Sequence, residues 1–251
     1  MRCRRGGVHR ALGATAIAIV AIGLLAAGPS PAWADLPAGR HVLLGHSTEG
    51  RAIRAVRVGD TGSPRKALVV GAIHGNELAG LRVTRALREL GGGADVDLWV
   101  VDTVNPDGRA HGTRRNARGV DLNRNFPRRW RRSSRGSSYY SGSRRLSEQE
   151  SRIVVRWVER LRPAVTIWYH QPWGAVLLPC SGPAPIERHY MRLARFPGER
   201  CRGAGLFGTA TSWQNHALPG TRAFVVELPA AGITARDAAR HARAALGVAA
   251  G

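Results

Sequence analysis

The chain has 251 residues, with 38 Lys and Arg against 17 Asp and Glu, and a formal net charge of +21. That length suits one domain with a substantial core, not a peptide-sized scaffold. The charge attracts polyanions and excludes a basic partner, and only one of the cations, Lys66, is a lysine.

The N-terminus reads as an export signal. "MRCRRGGVHR" is basic, the following 18 residues "ALGATAIAIVAIGLLAAG" are uncharged and apolar, and Ala32-Trp33-Ala34 offers an A-x-A cleavage site. The expectation is a signal peptide over 1–34, cleaved after Ala34, and one domain over 35–251. The alternative is a retained membrane anchor, since an apolar run of this length is borderline for a span; after cleavage no stable membrane insertion is expected. The expected location is secreted or cell-wall associated, in a bacterium. For such a protein an anionic cell-wall polymer or a carboxylate-rich peptide fits the charge better than nucleic acid. Cys180 and Cys201 remain after cleavage. An even pair in an oxidising compartment predicts a disulfide, worth about 3 kcal/mol for a loop of this size.

Residues 40–60, "RHVLLGHSTEGRAIRAVRVGD", read as strand, tight turn and strand, the turn being Ser47–Gly50. His46 and Glu49 fall at that hairpin end, where water reaches. Ala67 to Ile73 is a continuous apolar run, the mark of a strand buried on both faces. His74 follows it. "NELAGLRVTRALREL" then predicts a helix, with apolar positions Leu78, Leu81, Val83, Leu87 and Leu90. "VDLWVVD" (96–102) is a second buried strand. "LSEQESRIVVRWVERLRP" predicts a helix with Ser147 as N-cap, Glu150 completing a capping box, and Pro163 as the stop. "AVTIWYH" is a strand ending at His170, "RAFVVELP" a strand ending near Glu227, and "TARDAARHARAAL" a closing helix. Strands alternating with helices predict an α/β domain with a single mixed, mostly parallel sheet flanked by helices. Sites in such sheets form at strand carboxyl ends, where His74, His170 and Glu227 all fall.

Two stretches share the spacing H-x-x-E, His46/Glu49 and His74/Glu77. Random placement yields roughly 0.3 such pairs in a chain of this composition, so context must choose. Zinc accepts two His and one Glu, leaving a fourth position for water. His74, Glu77 and His170 can supply that set, and Glu227 can serve as the general base beside it. A carboxylate after "AFVV" is costly to bury without a task.

The middle of the chain, "VNPDGRAHGTRRNARGVDLNRNFP" (104–127), is polar and turn-rich. With "HGNE", "NPDG", "RRNARGVDLNRNFP", "YSG", "LSEQES", "YHQP" and "VVELP" in this order, the sequence over 40–230 resembles the zinc carboxypeptidase (carboxypeptidase A-like) family. The resemblance implies an α/β/α fold and one zinc ion per chain, held by His74, Glu77 and His170. It implies Glu227 as base and later proton donor, and Arg114 as stabiliser of the developing oxyanion, with Arg115 an adjacent alternative. It implies Asn123 and Arg124 as the grip on the substrate's terminal carboxylate. Within the family the sequence is most similar to bacterial murein peptide amidases, which implies a peptidoglycan-peptide substrate, the γ-D-glutamyl–diaminopimelate bond; ordinary peptides are the alternative. One departure stands out. Where the family places a tyrosine before the catalytic glutamate, this chain reads "GTATSWQNHALPGTRAFVVELP", and Trp213 is the aromatic expected to close the pocket, the alternative being a packed loop aromatic.

The rival reading is a non-catalytic module binding the wall or another polyanion. Residues 127–145 carry seven Arg and no acid, interleaved with Trp130, Tyr139 and Tyr140, a pattern that suits polyanions or single strands. The plainer expectation is a solvated Ser/Gly-rich loop. Asp107 is expected to form a turn, Asp121 to orient arginines, and His41, His111, His189, His216 and His241 to be surface or structural.

Overall fold

The computed structural model describes residues 36–91, 93, 95–200 and 206–251. The proposed signal peptide, its cleavage site and Cys201 lie outside the described residues; Cys180 is disulfide-bonded. Among the described residues no helix is long and apolar enough to cross a membrane.

Eight strands form one sheet: β1 (His41–His46), β2 (Ala52–Gly59), β3 (Lys66–Ala72), β4 (Asp97–Thr103), β5 (Val165–His170), β6 (Trp173–Leu178), β7 (Gly198–Arg200) and β8 (Arg222–Pro229). Their order is β1-β2-β4-β3-β5-β8-β6-β7. The central strands β4, β3, β5 and β8 are mutually parallel, while β2 joins β4 and β6 joins β8 antiparallel. The sheet is thus mixed with a parallel middle, as the alternating pattern predicts. Six helices accompany it: α1 (Gly80–Leu90), α2 (Pro106–Ala110), α3 (Gln149–Leu161), α4 (Pro185–Ala194), α5 (Ala210–Ala217) and α6 (Ala235–Ala250).

Period-2 alternation on the central strands builds two cores. Val69, Ile167, Tyr169, Phe224 and Val226 join Val83 and Leu87 of α1 and Ala242 and Ala245 of α6. Leu68, Val70, Trp168 and Ala223 join Trp157 and Val158 of α3 and Ala210 and Trp213 of α5. Both faces of the parallel strands are covered, which is why they are rich in apolar residues and why β3 reads as an unbroken apolar run from Ala67.

Two helix starts differ from the expectation. α1 begins at Gly80, not Asn76, because 76–79 run as turn and irregular chain while the Glu77 side chain is held by His74 and His170; Leu78 is consequently exposed rather than core. α3 has Glu148 as N-cap and no side-chain cap. Ser147 Oγ donates to Glu148 Oε1. Glu150 Oε1 instead accepts from Thr48 N and Oγ1, so long-range bonds replace the local capping box. That box occurs on α6, between Thr234 and Asp237.

At the hairpin turn after β1, His46 and Glu49 are exposed as expected, and the turn is anchored through Ser47. Ser47 is buried, and its Oγ donates to Asp107 Oδ1 at 2.6 Å. Glu49 N and Arg51 Nη1 also donate to the Asp107 carboxylate. Glu49 pairs with Arg51 and His111, so the first H-x-x-E stretch is structural. Asp107 is the anchor of this hairpin, a larger part than turn former.

Candidate metal centre and cleft

His74 leaves the end of β3 at a glycine that cannot be replaced. A Cβ on Gly75 would lie 2.0 Å from the Gly108 carbonyl carbon, so the loop after β3 and the "NPDG" turn touch backbone to backbone. Glu77 follows on the next turn, and His170 ends β5, paired in register with Glu227 on β8.

The three side chains converge. His74 Nδ1 lies 2.8 Å from Glu77 Oε1, and His170 Nδ1 lies 2.9 Å from Glu77 Oε2. One ligand atom from each lies within 4.8 Å of the others, and all three residues are buried. Two imidazoles and one carboxylate form a donor set suited to zinc with an open position. The remaining ring nitrogen of His74, Nε2, faces Asp121 Oδ1 at 3.0 Å. A carboxylate there fixes the tautomer and leaves Nδ1 free to bind an ion. The residues therefore fit a zinc ion.

The electrostatics agree. Burial opposes the charge on Glu77, yet the hydrogen bonds from His170 and His74 hold its carboxyl well below the usual range. Burial likewise opposes the charge on Asp121, but His74, Arg114 and Arg124 bring its carboxyl down to about 2. Glu227 behaves oppositely. Burial raises its carboxyl above the ordinary value, and its Oε2 is buried with no partner among the described residues. A carboxyl that holds protons more readily and keeps one oxygen uncommitted suits proton transfer.

Arg114 is aimed by acids. Its Nε and Nη2 donate to Asp121 Oδ2 at 3.1 and 3.0 Å, and Nη1 donates to Glu77 Oε1 at 2.8 Å. Arg115 turns away, with Nη1 at 3.5 Å from Ser137 O. Of the two arginines, Arg114 is the one in the cleft. Asn123 and Arg124 stand on a single 3-10 turn, Leu122–Arg124, whose N-cap is Asp121. Asn123 Oδ1 accepts from Ala210 N at 3.0 Å, and Arg124 Nη1 donates to Asn123 O at 2.7 Å.

These groups line a cleft of about 360 Å3, together with Tyr139, Gln171, Pro172, Trp173, Leu177, Leu206, Phe207 and Val225. The Gln171–Pro172 peptide is cis. Every expected polar site residue is therefore present in one place, and Trp213 is not. It is 5% exposed and stacks on Phe126 at 5.7 Å, inside the core. An apolar ring on the inward face of α5 packs there because α5 covers the sheet.

The aromatic wall comes from residues not foreseen as site groups. The Arg114 and Arg124 guanidiniums lie 5.2 and 5.3 Å from the Tyr139 ring centre. Arg124 and Arg131 lie 5.6 and 5.9 Å from that of Phe207. Trp173 opens β6 and is 59% exposed. The signal for Tyr139 was present, since it precedes the "YSG" stretch in a loop of arginines, but no periodicity pointed it inward.

The family profile for zinc carboxypeptidases matches residues 38–202. Murein peptide amidase A of Escherichia coli K12 is 36% identical over 89 residues, which is 31% of this chain and 37% of that protein. Murein peptide amidase A of Vibrio campbellii is 30% identical over 127 residues, 45% of this chain and 51% of that protein. The matched stretches thus span about half or less of these curated relatives. The crystal structure of murein-tripeptide amidase MpaA from Escherichia coli O157 has a TM-score of 0.67 at 22% identity, covering 87% of this chain and 94% of that one. Carboxypeptidase A from Helicoverpa armigera has a TM-score of 0.71 at 21% identity, covering 84% and 67%. At these identities the structural likenesses establish the fold.

Proposed function

The chain belongs to the zinc carboxypeptidase family and is a metallopeptidase-type hydrolase, and from that premise we propose that it releases the C-terminal residue of cell-wall peptides at the γ-D-glutamyl–diaminopimelate bond. The observation that carries the reading is the convergence of His74 Nδ1, His170 Nδ1 and the Glu77 carboxylate beside an uncommitted Glu227 oxygen. His74, Glu77 and His170 would hold one zinc ion, which when bound supplies Lewis acidity.

The chain's own groups do the rest. Glu227 takes a proton from the attacking water and returns it to the leaving amine. Three of the five N–H bonds of Arg114 go to Asp121 and Glu77. Two remain for the oxyanion that develops in the transition state. Asn123 and Arg124 bind the terminal carboxylate, for which a planar guanidinium is the suited partner. The wall-peptide substrate is supported by the murein peptide amidase relatives. The signal-like segment over 1–34 supports export to the compartment where wall peptides are met.

The test pairs metal content with turnover. His74→Ala is expected to lose zinc. Glu227→Gln is expected to retain zinc and lose activity by about 10^3-fold or more, the scale of a missing proton-transfer group. Undiminished turnover in Glu227→Gln overturns the mechanism. Incubating L-Ala-γ-D-Glu-diaminopimelate beside ordinary dipeptide reporters tests the substrate. Release from reporters alone replaces the wall-peptide reading with a general secreted carboxypeptidase.

A further inference from the structure

Residues 127–145 carry seven arginines and no acid, namely Arg128, Arg129, Arg131, Arg132, Arg135, Arg144 and Arg145. All seven are exposed, and no carboxylate among the described residues forms an ion pair with any of them. So many like charges side by side repel one another unless a counter-charge arrives. The segment is nevertheless ordered. Ser141 Oγ donates to Arg131 O at 2.7 Å, Ser133 Oγ donates to Tyr139 O at 2.9 Å, and Ser141 N donates to Ser133 Oγ at 2.8 Å. Trp130 Nε1 donates to Ser141 O at 3.1 Å, and Gly208 N to Arg128 O at 3.0 Å. The loop is solvated as expected, and serine hydroxyls lace its two legs together and hold the arginines outward.

The loop is continuous with the cleft. Arg131 and Arg124 share the Phe207 ring, and Arg124 and Arg114 share Tyr139. Cations and rings therefore alternate from the exposed loop to the metal centre. The same contacts decide what kind of polyanion fits. Single-stranded nucleic acid needs free aromatic faces on which bases stack. Tyr139 is 51% exposed but its ring already carries two guanidiniums, Tyr140 is buried, and Trp130 is half-buried with its N–H engaged. The loop thus offers seven exposed guanidiniums against one exposed ring that cations already occupy.

We propose that the loop over 127–145 is a docking surface for a base-free linear polymer carrying repeated phosphate groups, which it holds at the mouth of the cleft. Phosphate accepts bidentate bonds from arginine, and the position brings a peptide attached to or lying beside the polymer next to Arg124.

The experiment measures binding of the full chain to linear polyphosphate, poly-L-glutamate and oligothymidylate across a salt series. Two triple variants are compared. One is Arg132→Gln, Arg144→Gln and Arg145→Gln. The control is Arg82→Gln, Arg85→Gln and Arg243→Gln, exposed arginines on α1 and α6 that remove the same charge elsewhere. The loop variant is expected to weaken binding of polyphosphate by about tenfold or more. Its log–log salt slope should fall by about 2, since each lost phosphate contact removes about 0.7 to 0.9. The control should shift neither, and turnover of a small soluble peptide should be unchanged in both. A loss confined to polyglutamate overturns the assignment to phosphate. Equal weakening in the control, oligothymidylate binding as tight as both polymers, or no binding at 150 mM salt overturns the proposal.

Discussion

Asp121→Asn is the sharpest probe of how this centre is built. The wild-type carboxylate meets four donors: His74 Nε2 at 3.0 Å, Arg114 Nε and Nη2 at 3.1 and 3.0 Å, and Asn123 N at 2.9 Å. Asparagine keeps the shape and one acceptor, but its amide group turns donors toward donors on the other side. Charge-assisted bonds contribute about 1.5–3 kcal/mol and neutral ones about 0.5–1.5. Losing that difference at the His74 and Arg114 bonds costs about 3 kcal/mol in the metal-loaded transition state. Zinc affinity is expected to fall about 10- to 100-fold, the usual cost of removing a carboxylate behind a histidine ligand. At saturating zinc, kcat/KM is expected to fall about 100-fold, because 3 kcal/mol corresponds to roughly two decades. Chelator competition reads the first number and peptide turnover the second, with circular dichroism confirming the fold. A folded variant with both quantities within threefold of wild type would refute the idea that Asp121 positions His74 and Arg114.

Tyr139→Ala should lower kcat/KM by about 5- to 30-fold, since two cation–π contacts of about 0.5–1 kcal/mol each steady Arg114 and Arg124; Tyr139→Phe keeps the ring and should stay within twofold. The two tryptophans should separate cleanly. Trp213→Ala should cost about 3–5 kcal/mol in denaturant unfolding, as a core ring does, whereas Trp173→Ala should leave the melting point alone and raise KM. Stability should also depend on pH through His241, whose imidazole is lowered to about 4 by burial and by neighbouring Arg240. Its unfolded form takes up a proton near 6.5. The contribution is therefore fully present above about pH 6.5 and is lost as pH falls toward 4, on the order of 3 kcal/mol in all. His241→Gln, which can keep the bond to Tyr190, should flatten that part of the melting-temperature profile; a profile parallel to wild type would refute it.

The sheet and the polar centre were legible because both leave local marks. Ala67–Ile73 reads as a buried strand since nothing polar interrupts it, 96–102 and 164–170 read so because bulky and β-branched apolar residues dominate them despite Asp97 and Thr166, and His74, His170 and Glu227 read as site residues since each lies at the carboxyl end of such a run. β6, β7, α4 and α5 were not read: the strands are short or half-exposed, and the helices are only ten and eight residues long. The capping of α3 was misread because Glu150 answers Thr48, 102 positions away in sequence, and a local motif cannot report a distant competitor. Trp213 was misplaced for a related reason. Its type fits both a core and a pocket, and only the packing of α5 on Phe126 decides between them. Tyr139, Trp173 and Phe207 lie on loops or at a strand end, where side-chain direction depends on tertiary contacts.

Tyr169 and His170 are consecutive on β5 and face opposite sides of the sheet. Behind the strand, Tyr169 Oη meets Tyr190 Oη at 2.8 Å, and Tyr190 Oη meets His241 Nδ1 at 2.7 Å, all three residues being buried. β5 is also flanked by β3 on one side and β8 on the other. Backbone amides in such a position exchange with solvent only through the rarest, largest openings of a protein. The imidazole of His170 is thus mounted on a strand held on both edges and packed on both faces, while Arg131 and Tyr139 ride on an exposed loop. Deuterium labelling should divide the cleft along that line, with a wall that fluctuates in seconds facing a floor that yields only when the whole domain does.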